Sequence, residues 1–186
     1  MSWRRWRSER VSRKRSCGAF LPRTGGALDL TLRPVAREEF DLVAHIHVEP
    51  DQVRFSGTVA QAFQEQEDGV DFHAILDGSS VVGFFKIDRL YHETYEFARQ
   101  DELGLRAFMI DHRIQGRGMA TAAVTALPAY LAELHPDRNA VVLTVNLQNP
   151  AAIRCYLKGG FTDTRSIYPH GVAGPQHILR RGFQHD

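Results

Sequence analysis

The stretch DHRIQGRGMATAAV, residues 111–124, decides the fold. It sets two glycines and an arginine between the apolar run at 107–110 and a segment whose small and apolar residues recur at helical spacing. A strand that turns into a helix in this way leaves the helix's first backbone N–H groups without partners and aims the positive end of its dipole at the turn, which suits an anion. Gly116 and Gly118 let the backbone approach such an anion with no Cβ between them. Arg117 either adds a charge-assisted contact or stays in water. Two common phosphate-binding designs do not fit. Thr121 stands where G-x-G-x-x-G needs its third glycine, with too little strand–helix alternation before it, and nothing supplies the Gly-Lys-Ser/Thr end of a P-loop.

Outward from this turn, strand and helix patterns alternate. Residues 30–35 read as a short strand and 37–48 as a helix, with Phe40, Val43, Ala44 and His47 on one side. The segment 51–67 reads as helix in two pieces parted at Gly57. Runs at 72–76 and 81–87, rich in β-formers, flank Asp77-Gly78-Ser79-Ser80 and predict a hairpin. A strand at 105–110, a helix at 116–134 kinked by Pro128, a strand at 140–145, a helix at 150–158 and strands at 161–168 and 177–181 complete the chain. The class is α/β, with a mixed, largely antiparallel sheet flanked by helices and no internal repeat.

Composition bounds the function. The 186 residues are 43% hydrophobic and 24% charged, enough for one well-covered core. No window approaches the roughly 20 apolar residues of a membrane span, and no secretory leader is visible. Cys17 and Cys155 make neither a disulfide framework nor a cysteine metal cluster, so a cytoplasmic location is expected. Nine histidines give no ligand spacing; His45 and His47 stand two apart on the expected helix and face different ways, and no metal site is expected.

The net charge of +1 hides a division. Residues 1–28 carry eight basic groups against Glu9, a net +7, while the rest carries 15 basic against 21 acidic groups, a net −6. The first segment lacks an apolar period and nears its end at Thr24-Gly25-Gly26, so a disordered N-terminal extension is expected at 1–28 and one folded domain at 29–186. Trp3 and Trp6 among arginines suggest a nucleic-acid or anionic-membrane arm. A solvated extension or an over-long start carries more weight, and the Arg- and Ser-rich character also matches a transit peptide.

Gln115-Gly116-Arg117-Gly118-Met119-Ala120 resembles the Q/R-x-x-G-x-G/A signature of the GNAT superfamily of N-acetyltransferases, and residues 149–161, NPAAIRCYLKGGF, are similar to the family's N-x-x-A-x-x-x-Y-x-K-x-G-F stretch. The two occur in the family's order and spacing, and the resemblance covers about residues 29–182. It implies that acetyl-CoA is the co-substrate. Its diphosphate would lie on the amides of Gln115, Gly116, Arg117, Gly118, Met119, Ala120 and Thr121, and its pantetheine arm against Met109, Ile110 and Asn149. The arm would enter where the strand at 105–110 splays from the one at 140–145. Asn149 before Pro150 also reads as a helix N-cap, and Lys158 as a favourable charge at a helix C-terminus. Gly159 departs from the family's commoner leucine, which predicts a looser last turn.

The implied reaction is direct attack of an amine on a thioester carbonyl. It requires a held acyl donor, oxyanion stabilisation, a proton acceptor for the amine and a proton donor for the leaving thiolate. Tyr156 is the catalytic acid that the resemblance implies. For the acceptor of the amine proton the sequence leaves Asp101, Glu102, His92, Glu93 or a chain of waters open. Cys155 reads as a structural thiol. The segment Arg106-Ala107-Phe108-Met109-Ile110-Asp111 resembles the diamine and polyamine branch, and the acidic domain favours a small cationic amine. Its pocket is expected among 51–67, 88–104 and 165–176, with Tyr91, Tyr95, Phe97 and Tyr168 as walls. Aminoglycosides and protein N-termini remain alternative acceptors, as does a non-catalytic acyl-CoA-binding regulatory domain. Homodimers are frequent among such proteins.

Overall fold

The computed structural model describes residues 29–183; the expected extension with Trp3, Trp6 and Cys17 lies outside the described residues. One seven-stranded sheet organises the chain. In chain order the strands are β1 Leu30–Val35, β2 Val70–Asp77, β3 Ser80–Asp88, β4 Glu102–Ile110, β5 Ala140–Asn146, β6 Thr162–Tyr168 and β7 Gln176–Gly182. Their spatial order is β1-β2-β3-β4-β5-β7-β6. Every neighbouring pair is antiparallel except β4 and β5, which are parallel. This is the mixed, largely antiparallel sheet expected.

Strand alternation builds two cores. His73, Ile75, Phe85, Ile87, Val141 and Leu143 point to one face, which is covered by α5 Met119–Leu134 and α6 Pro150–Lys158. Phe72, Ala74 and Phe84 point to the other, under α1 Phe40–Val43, α2 Val53–Ser56 and α3 Val59–Gln64. On that second face Tyr91, from the short α4 Tyr91–Thr94, packs with Val142 and Ile178. Among the described residues no helix is long and apolar enough to cross a membrane.

Three expectations change. The helix at 37–48 shrinks to a 3-10 turn at Arg37–Glu39 and one α-turn, α1. The chain beyond Ala44 bonds sideways instead: His45 Nε2 meets the Val81 carbonyl at 3.0 Å, and His112 N donates to the His47 carbonyl at 2.8 Å. The strand at 105–110 begins earlier, at Glu102, because its first residues pair with β5. The helix expected from 116 begins at Met119, since Gly116 and Gly118 adopt positive φ. The split at Gly57, whose φ is +69°, stands as expected between α2 and α3.

Pro128 sits inside α5, which runs on through it. Proline cannot donate to the carbonyl four residues earlier. That carbonyl, on Val124, accepts instead from Arg181 Nη1 at 3.2 Å.

Candidate active site

The site begins where β4 and β5 part. They pair only over Glu102–Ala140, Leu103–Val141 and Gly104–Val142; from Leu105 onward β4 has no partner on that side, while β5 continues against β7. Across β4, the register to β3 shifts between Phe84 and Lys86, and Ala107 takes a φ of +49°. A non-glycine residue in the left-handed region at a bulge is stored strain, and it turns the strand just where it leaves β5. The expected splay is present. Met109 and Ile110 bury their side chains in the two cores, so only their backbone is free to face the gap.

The turn after β4 is an open cradle. Asp111 accepts from Arg113 N at 3.0 Å and from Arg113 Nε at 2.7 Å, which ends the strand in a 3-10 turn at His112–Ile114. Burial alone would raise the Asp111 carboxyl, but Arg113 and the backbone N–H bonds outweigh it and hold it below the usual range. Gly116 and Gly118 have φ of +78° and +80°, and a Cβ on either would meet nothing within 4 Å. Among the described residues no backbone N–H of 115–121 finds a protein acceptor. A row of free donors at the start of a 16-residue helix is a site for a multivalent anion. Beside it runs a groove of about 650 Å³ lined by Gly118, Thr121, Ala122, Thr125 and Lys158. The sequence placed Lys158 first as a dipole charge, with any coenzyme contact secondary. The structure adds that its ammonium stem borders the cradle. Arg117 is exposed, Met119 is buried and anchors the helix start, and Ala120 packs on the core.

From across the gap, α6 brings Tyr156 to the cleft. Its ring lies edge-on to Phe108 of β4 at 6.0 Å and to Phe161 at 5.7 Å. The Tyr156 hydroxyl has no hydrogen-bond partner among the described residues. Burial, with a smaller contribution from Cys155, pushes its phenol above the ordinary range and keeps it protonated. Cys155 points to Thr121 Oγ1 at 3.7 Å, and burial raises its thiol, which matches a structural role. Asn149 caps α6, its Oδ1 accepting from Ala152 N at 3.1 Å, which leaves its side-chain NH2 free of protein partners among the described residues.

Gly159 overturns one expectation. A Cβ there would lie 2.3 Å from Val124 Cγ1 of α5. The glycine therefore brings α6 close to α5 rather than loosening its last turn.

The face opposite α5 and α6 carries charge and aromatic rings. Lys86, 3% exposed, binds Glu65 at 2.9 Å and also pairs with Glu67. Arg106 binds Glu67 at 2.7 Å and Asp88 at 3.1 Å. Burial alone would raise Glu67, but Lys86 and Arg106 outweigh it and hold it ionised. A depression of about 260 Å³ lies here, lined by Glu67, Asp68, Asp88, Glu93, Thr94 and Arg106 among others. Tyr168 packs edge-on against Tyr95 at 5.4 Å and Phe97 at 5.6 Å, and Tyr95 lies tilted on Phe97 at 5.4 Å. Of the four aromatics expected as walls, Tyr91 proves to be core at 2% exposure, and the other three are half-buried. Asp101 and Glu102 sit at the far end of β4 from the cradle. Asp101 binds Asn139 at 2.9 Å, and Glu102 is buried against Arg180 at 3.1 Å, so neither is placed to take a proton at the gap. His92 and Glu93 lie on α4, and Glu93 lines the depression. Sequence reading missed Asn146. Its Nδ2 donates to the Ala173 carbonyl at 2.7 Å and ties the β6–β7 loop to the open end of β5; an asparagine ending a strand was the only signal.

Comparison with known proteins agrees with this geometry. The family model described as "Acetyltransferase (GNAT) family" matches residues 37–161. A spermine/spermidine N(1)-acetyltransferase of Bacillus subtilis (strain 168) is 23% identical over 141 residues, which cover 72% of this chain and 88% of that protein. Among solved structures, the aminoglycoside acetyltransferase AAC(6')-Ib in complex with paromomycin and acetyl-CoA superposes with a TM-score of 0.66 at 19% identity, covering 82% of this chain and 93% of the other. The ribosomal-protein-S18-alanine N-acetyltransferase of Escherichia coli reaches a TM-score of 0.57 at 17% identity, covering 84% and 96%. A cradle of free amides, a parted strand pair and a family match over most of the chain lead to one conclusion: the protein belongs to the GNAT acetyltransferase family and is an acetyl-CoA-dependent N-acetyltransferase.

Proposed function

We propose that the enzyme acetylates a primary amine of a small cationic acceptor of the diamine or polyamine class. The observation that carries this reading is the acidic depression beside Arg106, lined by Glu67, Asp68, Asp88 and Glu93, with the half-buried Tyr95 close enough to feel the charges of Arg106, Asp88 and Glu67. Carboxylates attract an ammonium, and aromatic faces hold its methylene chain and stabilise it by cation–π contact. The likeness to a spermine/spermidine acetyltransferase points the same way.

In this reading the free amides of Gln115, Gly116, Arg117, Gly118, Met119, Ala120 and Thr121 bind the coenzyme diphosphate, with Lys158 alongside. The edge of β4 at Met109 and Ile110, which β5 leaves without a strand partner, and the free NH2 of Asn149 hold the pantetheine arm in the gap. Acetyl-CoA supplies an acyl group activated as a thioester. The chain's own contributions are orientation, backbone donors at the splay and a proton held on Tyr156. Because burial keeps that phenol protonated, Tyr156 serves as a hydrogen-bond donor to the departing sulfur. The amine proton leaves to water through the acidic depression, where Glu93 has no ion-pair partner among the described residues.

A second reading, an aminoglycoside acceptor, is favoured by the likeness to the AAC(6')-Ib fold. Thiol release from acetyl-CoA, followed with spermidine, shorter diamines, aminoglycosides and an alanine-terminated peptide, separates them. The proposal expects the highest kcat/KM with the diamines or polyamines. Turnover confined to aminoglycosides or to the peptide overturns it.

A further inference from the structure

The turn that carries the cradle is held from one side by a segment 63 residues earlier in the chain. Gln115 Nε2 donates to the Ile110 carbonyl at 2.9 Å and to Gln52 Oε1 at 3.0 Å, and Gln52 Nε2 donates back to Gln115 Oε1 at 3.2 Å. Gln52 Oε1 also accepts from Glu49 N at 3.1 Å. Both amides are thus used at both ends. Around this pair, His47 N donates to Asp111 Oδ2 at 3.3 Å, and His112 Nδ1 meets Glu49 Oε1 at 3.2 Å. Gln52 leads directly into α2, which packs against β4.

These bonds matter because of what lies next to them. Gly116 and Gly118 give the turn the least conformational restraint of any residue type. Among the described residues Gln115 is the only member of 115–118 whose side chain bonds to the rest of the protein. The angle between β4 and the free amides is therefore set where Gln115 closes on Ile110, and Gln52 holds Gln115 in that position. A binding site whose donors are fixed before the ligand arrives loses less ordering entropy on binding.

We propose that Gln52 is a positioning residue for acetyl-CoA: through its reciprocal amide pair with Gln115 it presets the amide cradle, and it does so without touching the coenzyme. The proposal rests on the reading of 115–121 as the diphosphate site. It is independent of the acceptor.

The test is a double-mutant cycle on CoA affinity measured by calorimetry, with Gln52→Met, Gln115→Met and the double variant, all checked for an unchanged melting transition. Methionine keeps the length and removes the hydrogen bonds. Losing one such neutral pair predicts a Kd about three- to tenfold weaker for Gln52→Met. The loss appears in KM for acetyl-CoA rather than in kcat. The double variant binds no worse than Gln115→Met alone, because the two residues act as one unit. Wild-type affinity in Gln52→Met, or two losses that add in full, overturns the proposal. Gly118→Trp in the same series tests the underlying reading. If it leaves CoA affinity intact, the diphosphate site itself is misplaced and the proposal falls with it; if it weakens binding while Gln52→Met does not, only the role of Gln52 is lost.

Discussion

Tyr156 shows how a residue's surroundings narrow its chemistry. An ordinary phenol near 10 is already a weak donor of its proton to a thiolate, and burial against Phe108 and Phe161 moves it further up. The side chain is then a fixed donor across the whole working range. Tyr156→Phe should lower kcat by roughly a hundredfold while CoA still binds, and the wild-type rate should show no alkaline loss below about pH 10. An unchanged rate constant for the acyl-transfer step removes Tyr156 from the mechanism. His73 is the opposite case, a buried group that the chemistry does not use. It is 1% exposed, stacks on Phe85 at 4.8 Å and meets the Tyr130 hydroxyl at 2.7 Å. Burial, reinforced by His135, lowers its pKa from 6.5 to about 3. Between those values the unfolded chain takes up a proton that the folded chain refuses. Stability therefore falls as the pH drops through that window, by about 1.4 kcal/mol per pH unit from this group, and shows no such dependence above it. Denaturant melts at pH values from about 7 down to about 4.5 should show this slope, to which His135 adds. His73→Phe should flatten it, and an equal slope in the variant refutes the assignment.

At the scale of elements, the pattern of apolar residues located most strands and both long helices, because each long helix buries one face and each central strand sends alternate residues into one core or the other. The hairpin around Gly78 and the Asn149-Pro150 start of α6 were legible for the same reason: each depends on neighbours in the chain. The helix expected at 37–48 failed where His45 and His47 found partners on β3 and after β4, contacts that no local window contains. Pro128 was legible as an interruption, but the remedy, Arg181 reaching the Val124 carbonyl from 57 residues away, was not. Gly159 is the sharpest such case. Judged against its family it looked like a weakened helix end, whereas the structure makes it the contact between α6 and α5. Gly159→Leu, toward the family's commoner residue, should cost about 1–3 kcal/mol by overpacking against Val124. Adding Val124→Ala should restore part of the loss in thermal melts. A neutral or stabilising Gly159→Leu contradicts the close approach.

For the whole molecule, one topological feature organises the function. A parallel pair, β4 and β5, stands inside an otherwise antiparallel sheet and parts after three residue pairs, opening the gap between two layers of helices. The residues proposed for the coenzyme could be named from the sequence, since Gln115 to Ala120 and Asn149 to Phe161 are contiguous stretches. The depression proposed for the acceptor could not be named in this way, because it is assembled from Glu67, Asp88, Glu93 and Arg106, which only the fold brings together. The candidate bases Asp101 and Glu102 failed for the same reason: closeness to β4 in sequence put them at its wrong end. Central to the account is that the free amides from Gln115 to Thr121 receive the coenzyme diphosphate. Titrating CoA into isotope-labelled protein and following its backbone amide resonances tests this directly. The account predicts that the largest shifts fall on Gln115–Thr121 and saturate with the binding curve. Saturable CoA binding that leaves those amides unmoved would contradict it.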